Sequence, residues 1–209
     1  MITTMLDRRS PGPLPEVAAG EDATLARARS AARGDRAALA ALLREHARAV
    51  HDLCFHVAGS ADAADATQEA LERVVTGITR FDPTRGSFRT WALGVARNVC
   101  RDRLRRRGLE RKTFDDRGDD DAERVPSGDP DPERMALARA DARTLEAALA
   151  GLPEPTRAAI VLFHIHEESY EEIAATLDVP IGTVMSWLHR GRRKLREAIA
   201  AASDEGGTP

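Results

Sequence analysis

Hydrophobic residues in the first half of the chain recur with the period of an α-helix. One such pattern runs from Leu39 to Val57 and is interrupted by Gly59 and Ser60. A second pattern begins near Asp62 and ends near residue 77. Its apolar side is made of Ala66, Ala70, Leu71, Val74 and Val75. This spacing predicts two consecutive amphipathic helices, each with one buried face.

A third helix is predicted to begin at Ser87 or Phe88, after a loop over residues 81–87 that contains Pro83 and Gly86. Its apolar residues follow the spacing i, i+3, i+4, i+7, i+8 and i+11: Phe88, Trp91, Ala92, Val95, Ala96 and Val99. Its other face carries four arginines: Arg89, Arg97, Arg101 and Arg105. Such an apolar stripe is more typical of a helix packed in a core than of a surface that stacks bases.

The second half of the chain is helical by the same criterion. One helix is predicted over about residues 132–150 and another over about 154–166, where proline in the first turn is well tolerated. Good helix formers dominate both halves, and no strand-like alternation or hairpin signal appears. The sequence therefore predicts an all-α fold.

The last two predicted helices form a helix-turn-helix pattern. Ser169 followed by Glu172 has the spacing of a capping box, which predicts a short helix over residues 170–177. A turn over residues 178–182 separates it from a basic helix that continues to about residue 201, with Thr183 as its candidate N-cap. In proteins with this pattern the second helix enters the major groove of DNA.

An acidic segment divides the chain into two small helical domains. We expect a flexible tail over residues 1–21, a first domain over 22–112, a linker over 113–132, a second domain over 133–202 and a short tail over 203–209. The linker is polar, acidic and rich in proline and glycine, so it buries too little apolar surface to offset the entropy of ordering.

Charge is segregated along the chain, although its total is close to neutral. The 31 basic and 34 acidic residues give a net charge of −3, which by itself argues against a nucleic-acid-binding protein. Residues 85–112, however, hold ten basic and two acidic residues, and residues 182–196 hold five basic residues and no acid. Residues 115–133 between them hold nine acids and two bases. Both basic segments are therefore candidates for phosphate contact.

Several classes of protein are disfavoured. No apolar run approaches the length of a membrane span, and no signal peptide is evident, so we expect a cytoplasmic protein without membrane insertion. The spacing of His51, Cys54 and His56 matches no standard metal site, so we expect no metal there. We interpret the cysteine as a buried residue and the histidines as surface residues. No phosphate loop or catalytic motif appears, so we expect neither a cofactor nor an enzyme.

The C-terminal motifs resemble those of a known family. Residues 169–174 (SYEEIA), 179–184 (VPIGTV) and 188–195 (LHRGRRKL) are similar to the helix-turn-helix of extracytoplasmic-function (ECF) bacterial sigma factors. Leu152 and Pro153, together with Arg157, resemble the lead-in to that domain.

The first domain resembles the same family. Residues 62–69 (DAADATQE) are similar to the family's polymerase-binding helix. Residues 88–91 (FRTW), with 96–98 (ARN) and 102–103 (DR), are similar to its promoter-melting segment. The resemblance covers roughly residues 22–112 and 133–200 and implies a sigma factor of the sigma-70 type. Such a protein binds core RNA polymerase, recognises the −10 and −35 promoter elements and stabilises the melted −10 strand, without a catalytic site of its own. Many family members are held inactive by an anti-sigma protein, which is therefore a candidate partner.

The resemblance also implies three sets of contact residues. Contacts to the single-stranded −10 element are expected from Phe81, Arg85, Ser87, Arg89, Thr90, Trp91, Arg97, Asn98, Arg101 and Arg105. Contacts to the duplex −35 element are expected from Thr183, Ser186, Trp187, His189, Arg190, Arg193 and Lys194, and Arg192 is a further candidate for phosphate contact. Contacts to core polymerase are expected from Asp62, Asp65, Gln68, Glu69 and Glu72.

The sequence departs from the family at three positions. Met185 and Trp187 stand where the family commonly has basic residues, which removes positive charge from the DNA-reading end of the last helix. Trp187 can pack on a thymine methyl group or a sugar, or belong to a protein interface. Glu167 stands where the family commonly has glycine, in the turn before Ser169.

Other functions remain open at this stage. The alternative is an autonomous helix-turn-helix regulator that binds duplex operators without polymerase, and a third is an enzyme with an appended helix-turn-helix. The acids near residue 62 also fit a solvated helix N-terminus, where the helix dipole favours them. The acidic linker suggests a further hypothesis, in which it masks the basic helices of the free protein by electrostatic attraction.

Overall fold

The computed structural model describes residues 17–113 and 142–205, and every regular element within these ranges is a helix. The N-terminal domain consists of α1 (Val17–Ala32), α2 (Arg36–Ala58), α3 (Ser60–Gly77), a 3₁₀ turn (Ile78–Arg80) and α4 (Phe88–Thr113). The C-terminal domain consists of α5 (residues 142–150), α6 (Glu154–His164), α7 (Tyr170–Leu177) and α8 (Ile181–Glu205). The predicted all-α fold is confirmed.

Three helices form the core of the N-terminal domain. Asp35 caps α2, because its Oδ1 accepts hydrogen bonds from the backbone N–H of Ala37 and Ala38 at 2.9 and 3.0 Å. Helices α2, α3 and α4 pack on one another, and α1 lies against α2. Their fully buried side chains include those of the predicted apolar positions: Val50, Leu53, Val57, Ala66, Ala70, Val74, Ala96 and Val99.

The C-terminal domain is a helix-turn-helix built on α6. The predicted capping box is present: the Ser169 hydroxyl accepts from the backbone N–H of Glu172, and the Glu172 carboxylate accepts from the backbone N–H of Ser169. Helix α7 ends at Leu177, and its C-cap Asp178 has a left-handed φ of 55°. Helix α8 crosses α6 closely at Gly191, where a Cβ atom would lie 2.9 Å from Ile160 and Thr156.

Several local predictions were wrong. Helix α1 begins at Val17, inside the predicted tail. Helix α8 begins at Ile181, so Thr183 lies inside the helix and is not its cap. Val75, predicted to be buried, is 39% exposed, because it lies on the outer side of α3. Residues 1–16, 114–141 and 206–209 lie outside the described part of the chain, and with them most of the predicted linker and the first part of the helix predicted over about 132–150.

The two domains pack directly on each other. Helix α6 contacts α2, and helix α7 contacts α4, so the helix-turn-helix domain covers one side of the N-terminal bundle. Gly94 of α4 permits this approach, because a Cβ atom there would lie 3.2 Å from the backbone carbonyl oxygen of Thr176. Within the described ranges, none of the helices has the length and apolarity that crossing a membrane requires.

Candidate nucleic-acid and polymerase interfaces

Two arginines predicted to contact the −10 element form ion pairs across the domain interface. The Nε atom of Arg89 donates to Glu168 Oε1 at 2.6 Å. The Nε and Nη2 atoms of Arg97 donate to the two carboxylate oxygens of Glu154 at 2.9 and 3.2 Å, a bidentate arrangement. Both acids belong to the C-terminal domain. The arginine face of α4 is thus partly occupied by carboxylates in this structure.

The surroundings of Arg89 are buried. The side chain of Glu168 is only 3% exposed, and burial raises the pKa of its carboxyl group while the hydrogen bond and charge of Arg89 lower it. Burial also lowers the pKa of His166 to about 4, with a further contribution from the positive charge of Arg89. At neutral pH His166 is therefore uncharged, and Glu168 is the partner that compensates the charge of Arg89.

Arg157 forms a third link between the domains. Its Nη1 atom donates to the backbone carbonyl of Val57, at the end of α2, at 2.8 Å. Its Nη2 atom donates to the carbonyls of Ala150 and Leu152 at 2.9 and 3.0 Å. One side chain thus satisfies carbonyl groups at the ends of two helices, one in each domain. In the sequence, Arg157 stood out only as part of the resemblance to the family, and nothing there predicted that it links the two domains.

A cleft of about 260 Å³ lies between the domains. Its N-terminal wall contains five of the residues predicted to contact the −10 element: Arg85, Ser87, Thr90, Trp91 and Asn98. Its other wall is formed by Ala175, Thr176 and Asp178 at the end of α7. The structure therefore brings half of this predicted set together in one cleft but places the C-terminal domain over it.

Three aromatic side chains pack against one another beside this cleft. The ring of Phe81 lies 5.8 Å from that of Phe88 and 5.6 Å from that of Trp91, centroid to centroid. Phe88 is 2% exposed, whereas Phe81 and Trp91 are half-buried. Ser87 caps α4 by accepting from the backbone N–H of Thr90 at 3.1 Å. Phe81 and Trp91 thus combine packing with partial access to the surface.

Two of the predicted polymerase contacts are held in ion pairs within the N-terminal domain. Asp62 pairs with Arg107 of α4 at 2.7 Å. Glu69 pairs with Arg103 of α4 at 2.9 Å and with Arg73 of its own helix at 2.5 Å. These pairs fix α3 against α4, so part of the acidic face predicted to bind polymerase stabilises the domain itself.

The rest of that surface is more accessible and partly apolar. The Asp65 side chain is 77% exposed, and Gln68 donates to Glu72 at 3.0 Å along the helix. Beside them, Leu71 and the exposed Val75 line a shallow apolar groove. Periodicity had placed both residues on the buried side; Leu71 is half-buried and packs against the core, whereas Val75 stays outside.

The predicted −35 contacts occupy different environments on α8. His189, Arg190, Arg193 and Lys194 are exposed. Ser186 is exposed too, but its hydroxyl donates to the backbone carbonyl of Gly182 at 2.9 Å.

Two further predicted residues of α8 are less accessible. Thr183 is half-buried, and Trp187 is half-buried and packs against the hydrophobic core. Arg192 points back into the domain, where its Nε donates to His164 Nε2 at 3.2 Å and its guanidinium lies 4.7 Å from the Phe163 ring centroid. Arg192 therefore helps to hold α8 on α6.

The cysteines form a buried pair. Cys54 of α2 and Cys100 of α4 are both fully buried, and a hydrogen bond between their thiols and burial together raise the pKa of Cys100. In the part of the chain that the structure describes, no three histidine, cysteine, aspartate or glutamate side chains are grouped in a way that would hold a metal ion.

Comparison with known proteins identifies both domains. The family model of sigma-70 region 2 matches residues 42–110, and that of sigma-70 region 4 matches residues 142–195. The chain is 41% identical over 178 residues to the ECF RNA polymerase sigma factor SigE of Mycolicibacterium smegmatis, covering 83% of this chain and 67% of that protein. It is 30% identical over 172 residues to the ECF RNA polymerase sigma factor SigW of Bacillus subtilis, covering 80% of this chain and 91% of that protein.

A solved structure has the same fold. It contains the sigma factor RpoE in complex with the anti-sigma factor NepR from Bartonella quintana. The match has a TM-score of 0.61 at 24% identity and covers 76% of this chain and 94% of the other.

Proposed function

Because the chain belongs to the ECF family of RNA polymerase sigma factors, we propose that it performs their function with the surfaces described above. It binds core RNA polymerase and directs transcription initiation at specific promoters. The observation that carries this function is the presence of both sigma regions, in order, on one chain. It acts as an initiation subunit, and the chemistry of RNA synthesis belongs to the polymerase.

The N-terminal domain engages the −10 element in this proposal. Capture of a melted strand requires surfaces that stack unpaired bases and cations that hold phosphates. Phe81, Trp91 and Asn98 supply stacking and hydrogen-bonding groups beside the cleft. The exposed Arg101 and Arg105 extend a positive track along α4. The protein spends no nucleotide energy on opening, since preferential binding to the open form shifts the equilibrium.

The C-terminal domain engages the −35 element as duplex DNA. Arg190 lies exposed on the N-terminal half of α8, where recognition helices contact base edges, and its guanidinium suits a bidentate contact to guanine. Arg193 and Lys194 lie further along the helix and suit phosphate contacts. The hydroxyl hydrogen of Ser186 is already donated to Gly182, so Ser186 contributes to DNA binding as an acceptor.

Core polymerase binds the outer face of α3 in this proposal. Asp65, Gln68 and Glu72 supply polar contacts, and Leu71 and Val75 supply an apolar centre. An apolar centre with a polar rim is the usual anatomy of a protein interface.

The packed arrangement of the two domains is a closed state that must open during initiation. Arg89 and Arg97 can hold DNA phosphates only after they leave Glu168 and Glu154. Polymerase and promoter, which bind the two domains at separate sites, compensate for the lost ion pairs. An anti-sigma factor is a candidate partner of the closed state, by analogy with the complex of RpoE and NepR.

Reconstituted transcription tests the proposed function. Purified full-length chain is mixed with bacterial core polymerase, and run-off transcripts are collected from a library of genomic promoter fragments. We expect co-elution with core polymerase and transcripts that are absent with core alone. If the chain binds duplex DNA by itself but neither co-elutes with core nor starts a transcript, the autonomous regulator is the correct function.

A further inference from the structure

Two exposed hydrophobic side chains lie at the beginning of helix α8. Ile181 is 38% exposed and Met185 is 50% exposed, and the other large hydrophobic side chain exposed to this degree in the described ranges is Val75 in the N-terminal domain. Ile181 and Met185 are four residues apart, which places them on one face of the helix about 6 Å apart along its axis. Gly182, between them, has open space around it. The N-terminal end of α8 therefore presents a small apolar face.

The neighbouring side chains leave Ile181 and Met185 accessible to a binding partner of α8. Val184 and Leu188 are buried in the core, and Trp187 is half-buried and packs on the core. The Ser186 hydroxyl donates to the backbone of its own helix. His189 lies one turn beyond Met185 and is exposed. Ile181 and Met185 are thus better placed than Trp187 to touch a ligand that faces the start of α8.

The charge around Met185 indicates that this ligand is DNA. Met185 lies at the margin of a groove of about 340 Å³ whose wall carries Arg192, Arg193 and Arg196. Residues 182–196 include five basic residues and no acid, so the apolar face continues into a surface complementary to a polyanion. A phosphate backbone held in that groove by Arg193 and Arg196 would place neighbouring base pairs beside Met185, which lines the same groove.

We propose that Ile181 and Met185 contact thymine 5-methyl groups in the major groove of the upstream promoter element. The thymine methyl is the apolar group that unmodified base pairs display in that groove, so apolar side chains there select A·T pairs. The proposal rests on the proposed function and adds to it the base preference that this departure from basic residues creates. Burying one methyl group corresponds to about a fourfold change in affinity.

The test compares thymine with deoxyuridine, which lacks only the methyl group. Holoenzyme reconstituted with the full chain first selects its preferred sequence from duplex DNA randomised in the upstream element. Each thymine of the selected element is then replaced by deoxyuridine, and affinity is measured by competition at fixed salt. We expect at least one replacement to weaken binding about fourfold. The double variant I181A/M185A should bind both duplexes equally, and M185L should retain the discrimination.

Arg193→Ala is the matched control. Loss of a phosphate contact weakens binding to both duplexes by the same factor and leaves the preference for thymine intact. A selected element without thymine, or equal affinity of the unaltered protein for both duplexes, overturns the proposal and leaves the sigma function standing. Holoenzyme that selects no sequence and starts no transcript refutes the sigma function itself, and the inference falls with it.

Discussion

Removing the carboxylate charge of Glu154 should open the closed arrangement of the two domains. Glu154 and Arg97 form a bidentate pair whose side chains are 15% and 11% exposed. An exposed ion pair contributes about 0–1 kcal/mol to stability, and loss of one partner from a buried pair costs about 3–5 kcal/mol. For this partly buried pair we therefore expect removal of the Glu154 charge to destabilise the closed arrangement by about 2 kcal/mol. That corresponds to about a 30-fold shift of the closed–open equilibrium. Glu154→Gln keeps the size of the side chain and removes its charge.

Two measurements on the free protein read this shift. Fluorescence energy transfer between one dye on α2 and another on α8 reports the open fraction. Binding of a single-stranded oligonucleotide reports how far the arginine face of α4 is accessible, because apparent affinity scales with the competent fraction. We expect lower transfer and tighter oligonucleotide binding, by up to about 30-fold, in Glu154→Gln.

The matched control is Glu171→Gln. Glu171 is an exposed carboxylate of the same domain, so its loss changes net charge equally without touching the interface. If both variants bind the oligonucleotide equally and energy transfer stays unchanged in Glu154→Gln, the pair does not hold the domains together, and the reasoning is refuted.

Four further predictions concern stability, partner binding and pH. Val75→Arg should abolish co-elution with core polymerase. Its free energy of unfolding should stay within about 0.5 kcal/mol of that of the unaltered protein, because Val75 is 39% exposed. Undiminished co-elution would show that Val75 is not part of the polymerase interface. Glu167→Gly should raise stability to urea by about 0.5–1 kcal/mol, because relief of its left-handed φ of 56° exceeds the entropy that glycine adds to the unfolded chain; a loss would contradict this. Gly191→Ala should cost about 1–3 kcal/mol in the same assay, since the new Cβ would lie 2.9 Å from α6; an unchanged midpoint would show that the helices can separate freely. Burial lowers the pKa of His166 from 6.5 to about 4. The contribution of His166 to the stability of the closed state should therefore be complete above pH 6.5 and decrease by up to about 3 kcal/mol as the pH falls towards 4. Energy transfer should no longer show this acid-induced opening in His166→Gln. The raised pKa of Glu168 acts in the opposite direction, so the variant should open less in acid than the unaltered protein.

Local patterns in the sequence predicted much of the fold. Periodicity predicted α2, α3, α4 and the helices of the C-terminal domain but not α1, and the Ser169–Glu172 spacing predicted a capping box that the structure contains. These features depend on residues within one or two turns of each other. The unusual Glu167 was visible in the same way, and its positive φ explains why glycine is favoured at that position.

Contacts between distant parts of the chain could not be predicted in this way. Arg97 and Glu154 are 57 residues apart, and Arg89 and Glu168 are 79 residues apart. Each arginine appeared, correctly, on the polar face of α4, but periodicity does not say which partner that face meets. The positions of Asp62 and Glu69 in ion pairs with α4 escaped prediction for the same reason.

Exposure of apolar residues was equally hard to predict. Val75 has the same hydrophobic character as core residues, and only the packing of neighbouring helices decides that it remains at the surface, whereas the resemblance already placed Met185 at the DNA-reading end of the last helix. These are the residues that the proposed polymerase and promoter contacts require. Residues that depart from the fold's requirements are often those that serve binding.

Permanganate footprinting of a promoter tests the central claim most directly, because permanganate oxidises unpaired thymines. The sigma function predicts reactive thymines around the −10 element with core polymerase and this chain together, and none with either component alone. A stable complex of the two on promoter DNA that leaves every thymine paired would contradict the claim.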